Sequence, residues 1–380
     1  MKKICLFLFC MFFVTSNVYA EDIKLAENAT SAIIIEASTG EIIYQKNINE
    51  KRPPASMTKM MSMLLIMEAI EKGNLSFEDE VTASLNASSM GGSQIFLEAG
   101  ETMSVLDLLK GIAIGSGNDA TVAMAERIAG TEEAFVKLMN DRANSLGLKN
   151  TNFKNSTGLD AENHYSSAYD MAMIAKELVK HEKILEFTGT YEEYLRKDSN
   201  SPFWLVNTNR LVRFYSGADG LKTGYTGEAG YCLTATAVRD NMRLITVVMN
   251  EPTSQIRNNE TTAMLDYGFS MYGIDQILDT NTILGKEKVE LGKITEVEII
   301  PMDSVGILNN KSKDKRNVTY DVKVDNIKAP VKVGDVVGKI NVIEDNKIIN
   351  TIDVTVKNDV DKASIFRVFY RNLKNLFSGF

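Results

Sequence analysis

Pro53-Pro54-Ala55-Ser56-Met57-Thr58-Lys59-Met60-Met61-Ser62-Met63-Leu64-Leu65-Ile66-Met67 is the stretch on which the reading of this chain turns. The paired prolines force an extended approach, since each fixes its own φ and pushes its predecessor out of the helical region. Met57, Met60, Met61, Leu64, Leu65, Met67 and Ile70 then recur at helical spacing until Gly73 stops the run. Ser56 is therefore expected near a helix N-terminus, where unpaired N–H groups and the helix dipole favour developing negative charge. Lys59, three residues on, shares its face and can take the hydroxyl proton, provided that its amine is neutral. Burial and a second cation nearby, for which Lys222 is the candidate, both push a lysine that way.

Two further motifs follow in order. Ser116-Gly117-Asn118 comes after the apolar run Val105 to Ile114 and before a helical stretch from Ala120 to Ala129, so it is read as an inter-helix loop that projects a hydroxyl and an amide into a cleft. Lys222-Thr223-Gly224 opens a β-rich stretch, with Tyr231 to Arg239, a turn at Asp240-Asn241, and Leu244 to Met249 as a hairpin. There a lysine and a threonine can hold a carboxylate, and the bare Gly224 lets a substrate backbone approach. Each motif alone is weak. Ser312-Lys313-Asp314-Lys315 and Ser84-Leu85-Asn86 meet the same two-residue requirements by chance, and an isolated Ser56 would read as a plain N-cap. The ordered trio outweighs these readings.

Serine acyl-transfer enzymes of the penicillin-binding and class A β-lactamase kind carry this trio, with Asp in the middle of the second motif. The chain resembles the D-alanyl-D-alanine carboxypeptidases among the low-molecular-mass penicillin-binding proteins. The likeness extends to Pro53-Pro54-Ala55, to Asn155-Ser156-Thr157-Gly158-Leu159-Asp160 and to Ser166-Ser167-Ala168-Tyr169-Asp170-Met171-Ala172, and Gly117 in place of Asp favours these carboxypeptidases over the β-lactamases. The resemblance implies Ser56 as the acylated nucleophile, Lys59 as general base and Ser116 as proton relay. It implies Asn118 as orienter of the substrate peptide, Lys222 and Thr223 as carboxylate clamp, and the N–H groups of Ser56 and Tyr225, next to Gly224, as oxyanion hole. The reaction would remove the last D-alanine from a peptidoglycan stem peptide, and β-lactams would acylate the same serine. A β-lactamase is the enzymatic alternative, weakened because no Glu-x-x-x-Asn arrangement lies around Asp160 to Ser167. A non-catalytic peptidoglycan-binding protein is the other, and it leaves the retained reactive groups unexplained.

Composition narrows the field. Of the two histidines, His181 lies in a charged stretch read as solvated, so a Ser-His-Asp triad would rest on His164, which sits among polar residues and is read as a loop histidine. Cys5 and Cys10 fall in the leader, which leaves Cys232 as a core thiol and gives no basis for a disulfide or a cysteine-bound zinc. No metal or organic cofactor is expected. The net charge of -8 becomes -10 once Lys2 and Lys3 leave with a leader that has no acidic residue, which argues against nucleic acid.

The expected fold is α+β: an antiparallel sheet flanked by helices, penicillin-binding/β-lactamase-like, followed by a small β-domain and a C-terminal amphipathic helix. Residues 1-20 read as a signal peptide cleaved after Ala20, with Lys2-Lys3 ahead of the apolar run Ile4 to Val14. Residues 22-272 form the catalytic domain, in which a first hairpin (Ala32 to Ile35, a turn near Ser38-Thr39-Gly40, Ile42 to Tyr44) joins the last strands in one sheet. Residues 273-360 alternate as a β-domain with a turn at Glu344 to Lys347. In 361-380, Ile365, Phe366, Phe369, Leu373, Leu376, Phe377 and Phe380 share one face and Arg367, Arg371 and Lys374 another. Such a helix suits the interface of an anionic membrane, on the outer face of the cytoplasmic membrane after export.

Overall fold

The computed structural model describes residues 24–377, with side chains up to Arg371. The leader, Cys5, Cys10 and the apolar and basic positions from Leu373 to Phe380 lie outside the described residues or side chains.

The run Ser31–Glu36 is buried at every position because its strand is covered on both faces. Ile33 and Ile35 point into one core with the helix Lys59–Glu71, whereas Ala32 and Ile34 join a second core under the helix Ser254–Met271. This strand is second in a five-stranded antiparallel sheet, in the order Ile42–Lys46, Ser31–Glu36, Met242–Glu251, Gly230–Arg239, Ala218–Thr226. The first hairpin thus pairs with the last strands, with Ile33 opposite Val247. Asp240 and Asn241 turn the final hairpin with positive φ (49° and 62°), as a two-residue hairpin matched to strand twist requires. Cys232 is fully buried in this sheet, and burial pushes its thiol up to about 11.

The nucleophile stretch adds two features to its reading as a helix with Ser56 near its start. Ala55–Thr58 is a 3₁₀ turn, entered through Ala55 at φ +47°, and the α-helix proper starts at Lys59. That helix is also surrounded: Met60, Met61, Ser62, Met63, Leu64, Ile66 and Met67 are all buried, so it runs through the core and does not lie on its surface.

Helix Ser254–Met271 passes directly into the strand Tyr272–Leu278, which pairs with Val305–Asn310. Beyond it a six-stranded sheet runs in the order Val318–Val324, Gly338–Glu344, Lys347–Val356, Glu296–Pro301, Gly285–Glu290, Ile327–Lys328 around its own apolar core. Asp345 and Asn346 turn its central hairpin with positive φ, as the sequence suggested. Val318–Val324 is an edge strand, which leaves Tyr320 45% exposed despite the alternation. Arg316 ties this unit to the catalytic sheet. Its guanidinium donates to Glu41 (2.7 and 2.8 Å) in the first hairpin and to Glu344 (2.8 and 2.9 Å).

The chain closes with the helix Ile365–Phe377. Ile365, Phe366, Phe369 and Tyr370 are 65–87% exposed, whereas Arg371 donates to the carbonyl of Gly292 in the β-rich unit at 3.1 Å. Among the described residues no helix is long and apolar enough to cross a membrane.

Candidate active site

Lys59 is fully buried, and its Nζ touches three oxygens: Asn118 Oδ1 at 2.6 Å, the Thr157 carbonyl at 2.7 Å and Ser56 Oγ at 3.1 Å. The first two can only accept. A neutral amine has two N–H bonds, which these carbonyls take, so its lone pair is left facing Ser56 Oγ, ready for the hydroxyl proton. Burial holds Lys59 well below the usual lysine range, the charge of Lys222 adds to this, and Asp119 opposes it.

Ser116 sits at φ +62°, a strained conformation for a side-chain-bearing residue, and with Ser56 it lines a cleft of about 520 Å³. Gly117 follows because a Cβ there would come within 3.0 Å of Asp119 Oδ1 and 3.2 Å of Ile95. Asp119 in turn accepts the N–H groups of Ile95 (3.1 Å) and Leu97 (3.0 Å), tying the opposite rim of the cleft to the helix Asn118–Ala129.

Thr223, Gly224 and Tyr225 line the same cleft from the sheet-edge strand Ala218–Thr226. The motif lies inside this strand and does not open the β-rich stretch. Gly224 is bare for a reason other than the one read from sequence. A Cβ there would stand 2.7 Å from the Pro54 carbonyl and 3.2 Å from Ser56 N, so the glycine makes room for the protein's own nucleophile turn. The same closeness sets the Ser56 N–H and the strand segment of Tyr225 side by side.

Two assignments change in character. Asn118, expected to orient the substrate peptide, is 3% exposed, and both ends of its amide are engaged, Oδ1 by Lys59 and Nδ2 by the Gly91 carbonyl at 2.6 Å. The amide thus fixes the Lys59 amine in place. Lys222, expected in the carboxylate clamp, is 1% exposed beneath the cleft floor, its Nζ reaching only the Thr223 carbonyl at 3.2 Å. Burial, helped by Arg257, lowers it to about 7. Two cations do line the cleft, Arg210 and, from the helix Ser254–Met271, the largely buried Arg257, and sequence reasoning missed both because no motif marks them. Thr223 Oγ1 donates to Thr208 Oγ1 at 2.7 Å on the same side.

The segment Asn155 to Gly158 carried no chemical reading from spacing, yet it supplies the Thr157 carbonyl. Asn155 Oδ1 gathers the N–H groups of Thr157 (3.2 Å) and Gly158 (2.7 Å), and Gly158 at φ +87° lies where a Cβ would come within 1.9 Å of the Ala55 carbonyl. His164 lies in a loop, as read, but it is buried. It is 6% exposed, accepts the Lys154 N–H at Nδ1 (3.1 Å) and so presents Nε2–H to Thr58 Oγ1 (2.8 Å), while burial depresses it to about 4. His181 is likewise not solvated, its side chain 10% exposed with Nδ1 2.6 Å from Glu71. Ser167 caps the helix Ala168–Leu178, so the third stretch of resemblance is structural.

With this geometry stands a match of residues 17–253 to the D-alanyl-D-alanine carboxypeptidase family, peptidase S11. The chain belongs to that family. Residues 272–362 match the C-terminal domain of penicillin-binding protein 5. The D-alanyl-D-alanine carboxypeptidase DacF of Bacillus subtilis (strain 168) is 52% identical over 92% of this chain and 90% of its own length. DacA of Haemophilus influenzae is 33% identical over 92% and 91%. The crystal structure of penicillin binding protein 5 from Haemophilus influenzae superposes with a TM-score of 0.69 at 32% identity, covering 89% of this chain and 98% of that one. The carboxypeptidase-family fold, with its penicillin-binding core and C-terminal β domain, is thus the α+β architecture read from the sequence.

Two outcomes follow from this packing. In Lys222→Met the loss of the neighbouring charge raises Lys59, so the acid limb of the acylation rate, followed with a fluorescent penicillin, moves to higher pH; a limb that stays in place removes Lys222 as a source of the depression. Gly158→Ala combines a left-handed φ with a backbone clash and should cost about 2–4 kcal/mol in denaturant unfolding, together with most of the acylation rate. Unchanged stability and rate would mean that the loop does not brace the nucleophile.

Proposed function

We propose that the chain removes the C-terminal D-alanine of peptidoglycan stem peptides through an acyl-enzyme on Ser56. The observation that carries this reading is the Lys59 amine, whose two carbonyl acceptors leave its lone pair toward Ser56 Oγ. Lys59 takes the hydroxyl proton as Oγ attacks the penultimate D-alanine carbonyl, and the N–H groups of Ser56 and Tyr225 receive the oxyanion. Ser116 passes the proton to the leaving amine, D-alanine departs, and water cleaves the ester with Lys59 again as base. The terminal carboxylate is held by Thr223 and Arg257 at the cleft surface, with Lys222 strengthening the positive field from below. β-Lactams, which carry an acyl group and a carboxylate in the same relation, acylate Ser56 and stay.

The proposed location is the outer face of the cytoplasmic membrane, after export by the leader in residues 1-20. The exposed aromatic and aliphatic side of the helix Ile365–Phe377 supports peripheral attachment to an anionic surface. Arg371 is engaged with Gly292, which leaves Arg367 as the described cation on this helix for phosphate contacts. The 22-272 and 273-360 units then act as catalytic body and spacer.

Incubating the signal-cleaved protein with a pentapeptide ending in D-Ala-D-Ala should release D-alanine, and Ser56→Ala should abolish both this release and covalent penicillin labelling. Full-stoichiometry labelling in the mutant would overturn the assignment, and rapid penicillin turnover without D-alanine would favour the β-lactamase. Arg257→Ala should raise KM about tenfold or more for that peptide and much less for its C-terminal amide, the worth of one charged hydrogen bond to the carboxylate; equal losses on the two substrates remove Arg257 from the clamp. Deleting residues 361-380 should free the protein from anionic liposomes while kinetics on soluble peptide stay unchanged, and high salt alone should release only part of the intact protein. Equal partitioning of the two forms would place the anchor elsewhere.

A further inference from the structure

Behind Arg257 lies a carboxyl group that the reaction above does not use. Glu251 ends the strand Met242–Glu251, is 1% exposed, and neither of its side-chain oxygens has a hydrogen-bond donor in reach among the described residues. A buried carboxylate without donors is strongly disfavoured, whereas the neutral acid has a proton of its own to give. Its acceptor is Glu260, on the helix Ser254–Met271. Glu260 is equipped to stay ionised, since it accepts from Asn28 N (3.0 Å), Asn28 Nδ2 (2.6 Å) and Ala29 N (3.3 Å). Burial opposes that ionisation, but the Glu251 proton and these donors hold Glu260 below the usual carboxylate range.

The charges around Glu251 come from every side. Lys46 faces it from the first hairpin, Arg257 and Glu260 from the helix, and Cys232 with Tyr231, its register partner, from the neighbouring strand. Burial and then Glu260 push Glu251 up, to about 8, against the pull of Lys46 and Arg257. The Lys46 amine is engaged by the carbonyls of Ala26 and Glu27, each at 2.9 Å. Arg257 meets no carboxylate among the described residues; Nε and Nη2 both donate to Asn258 Oδ1, at 3.1 and 2.9 Å.

We propose that Glu251 is a positioning residue which, held as a neutral acid bonded to Glu260, leaves Arg257 without an internal counter-ion and so free to take the terminal carboxylate of the substrate. This rests on the carboxylate-clamp role given to Arg257 above. When Glu251 loses its proton to solvent it becomes that counter-ion and competes with the substrate. Because the acid form prevails below about pH 8, carboxylate recognition weakens above it, and the weakening falls on KM and not on kcat.

The test compares the signal-cleaved wild type with Glu251→Gln, which keeps the neutral shape and cannot ionise. KM for a D-Ala-D-Ala peptide and for its C-terminal amide is followed from about pH 6.5 to about 9.5. Lys222 titrates in both proteins and cancels in their ratio. For the free carboxylate the ratio of wild-type to variant KM stays within about twofold below pH 7 and climbs to about tenfold at the alkaline end, while the kcat ratio stays level and the amide shows no divergence. A KM ratio level over the whole range overturns the proposal. Should Glu251→Gln fail to fold, Glu260→Gln removes the neighbouring charge and must bring the wild-type alkaline limb to lower pH; an unmoved limb is equally decisive. Infrared titration reads the proton without turnover. A carboxylic-acid carbonyl band at neutral pH that disappears above about pH 8 and is missing in Glu251→Gln supports the assignment, and absence of the band at neutral pH sinks it. If D-alanine release fails while the band is present, the substrate reading falls and the protonation of Glu251 stands.

Discussion

The buried amine of Lys59 is the constraint on which the rest of the structure depends. An exposed lysine is charged at neutral pH and cannot take a proton from a hydroxyl, so the base must be kept out of water without being pinned as a cation. The helix that carries it is therefore surrounded on all sides, with Met57, Met60, Met61 and Met63 fully buried around it. Unbranched, flexible methionines suit such a position, filling the irregular space between a central helix and a twisted sheet without forcing side chains off their rotamers. The Asn118 and Thr157 carbonyls then satisfy two N–H bonds and direct the remaining lone pair.

From this follows the arrangement of charge. Lys59, Lys222 and Arg257 lie in sequence from the core to the cleft, each buried, with Lys222 lowering Lys59 and Arg257 lowering Lys222. Positive charge gathered at this place is unfavourable in the empty enzyme, which favours a neutral Lys59, and in the proposed reaction an incoming carboxylate meets what remains at Arg257 and Thr223. In the proposed reaction, recognition of the chain end and activation of the serine are thus parts of one electrostatic device. The glycines serve it by letting backbones close in: Gly224 against Pro54 and Ser56, Gly158 against Ala55.

The β-rich unit and terminal helix stand apart from this chemistry. They are joined to the catalytic unit by Arg316, whose guanidinium bridges Glu41 and Glu344, by Leu308, which packs into the core under the sheet, and by the Lys180–Asp303 ion pair, and none of the cleft-lining residues among the described residues comes from beyond Asn258.

Much of the active centre was legible because its parts are local. The Ser56 and Lys59 spacing, the loop between two apolar helices that holds Ser116, and the positive-φ turns at Asp240-Asn241 and Asp345-Asn346 are properties of a few adjacent residues, and the sequence by itself determined them. That the first hairpin joins the last strands was legible through the resemblance, and the pairing of Ile33 with Val247 bears it out. What only the tertiary structure decided are the contacts made across long separations: His164 bracing Thr58, Asn118 turned inward to Lys59, Lys222 sunk beneath the floor, and Arg257 brought to the cleft by the helix Ser254–Met271 with Glu251 buried behind it. Local periodicity specifies which face of an element is apolar, but whether a given polar group ends in water, on a carbonyl or beside another charge is set by which distant backbone folds over it.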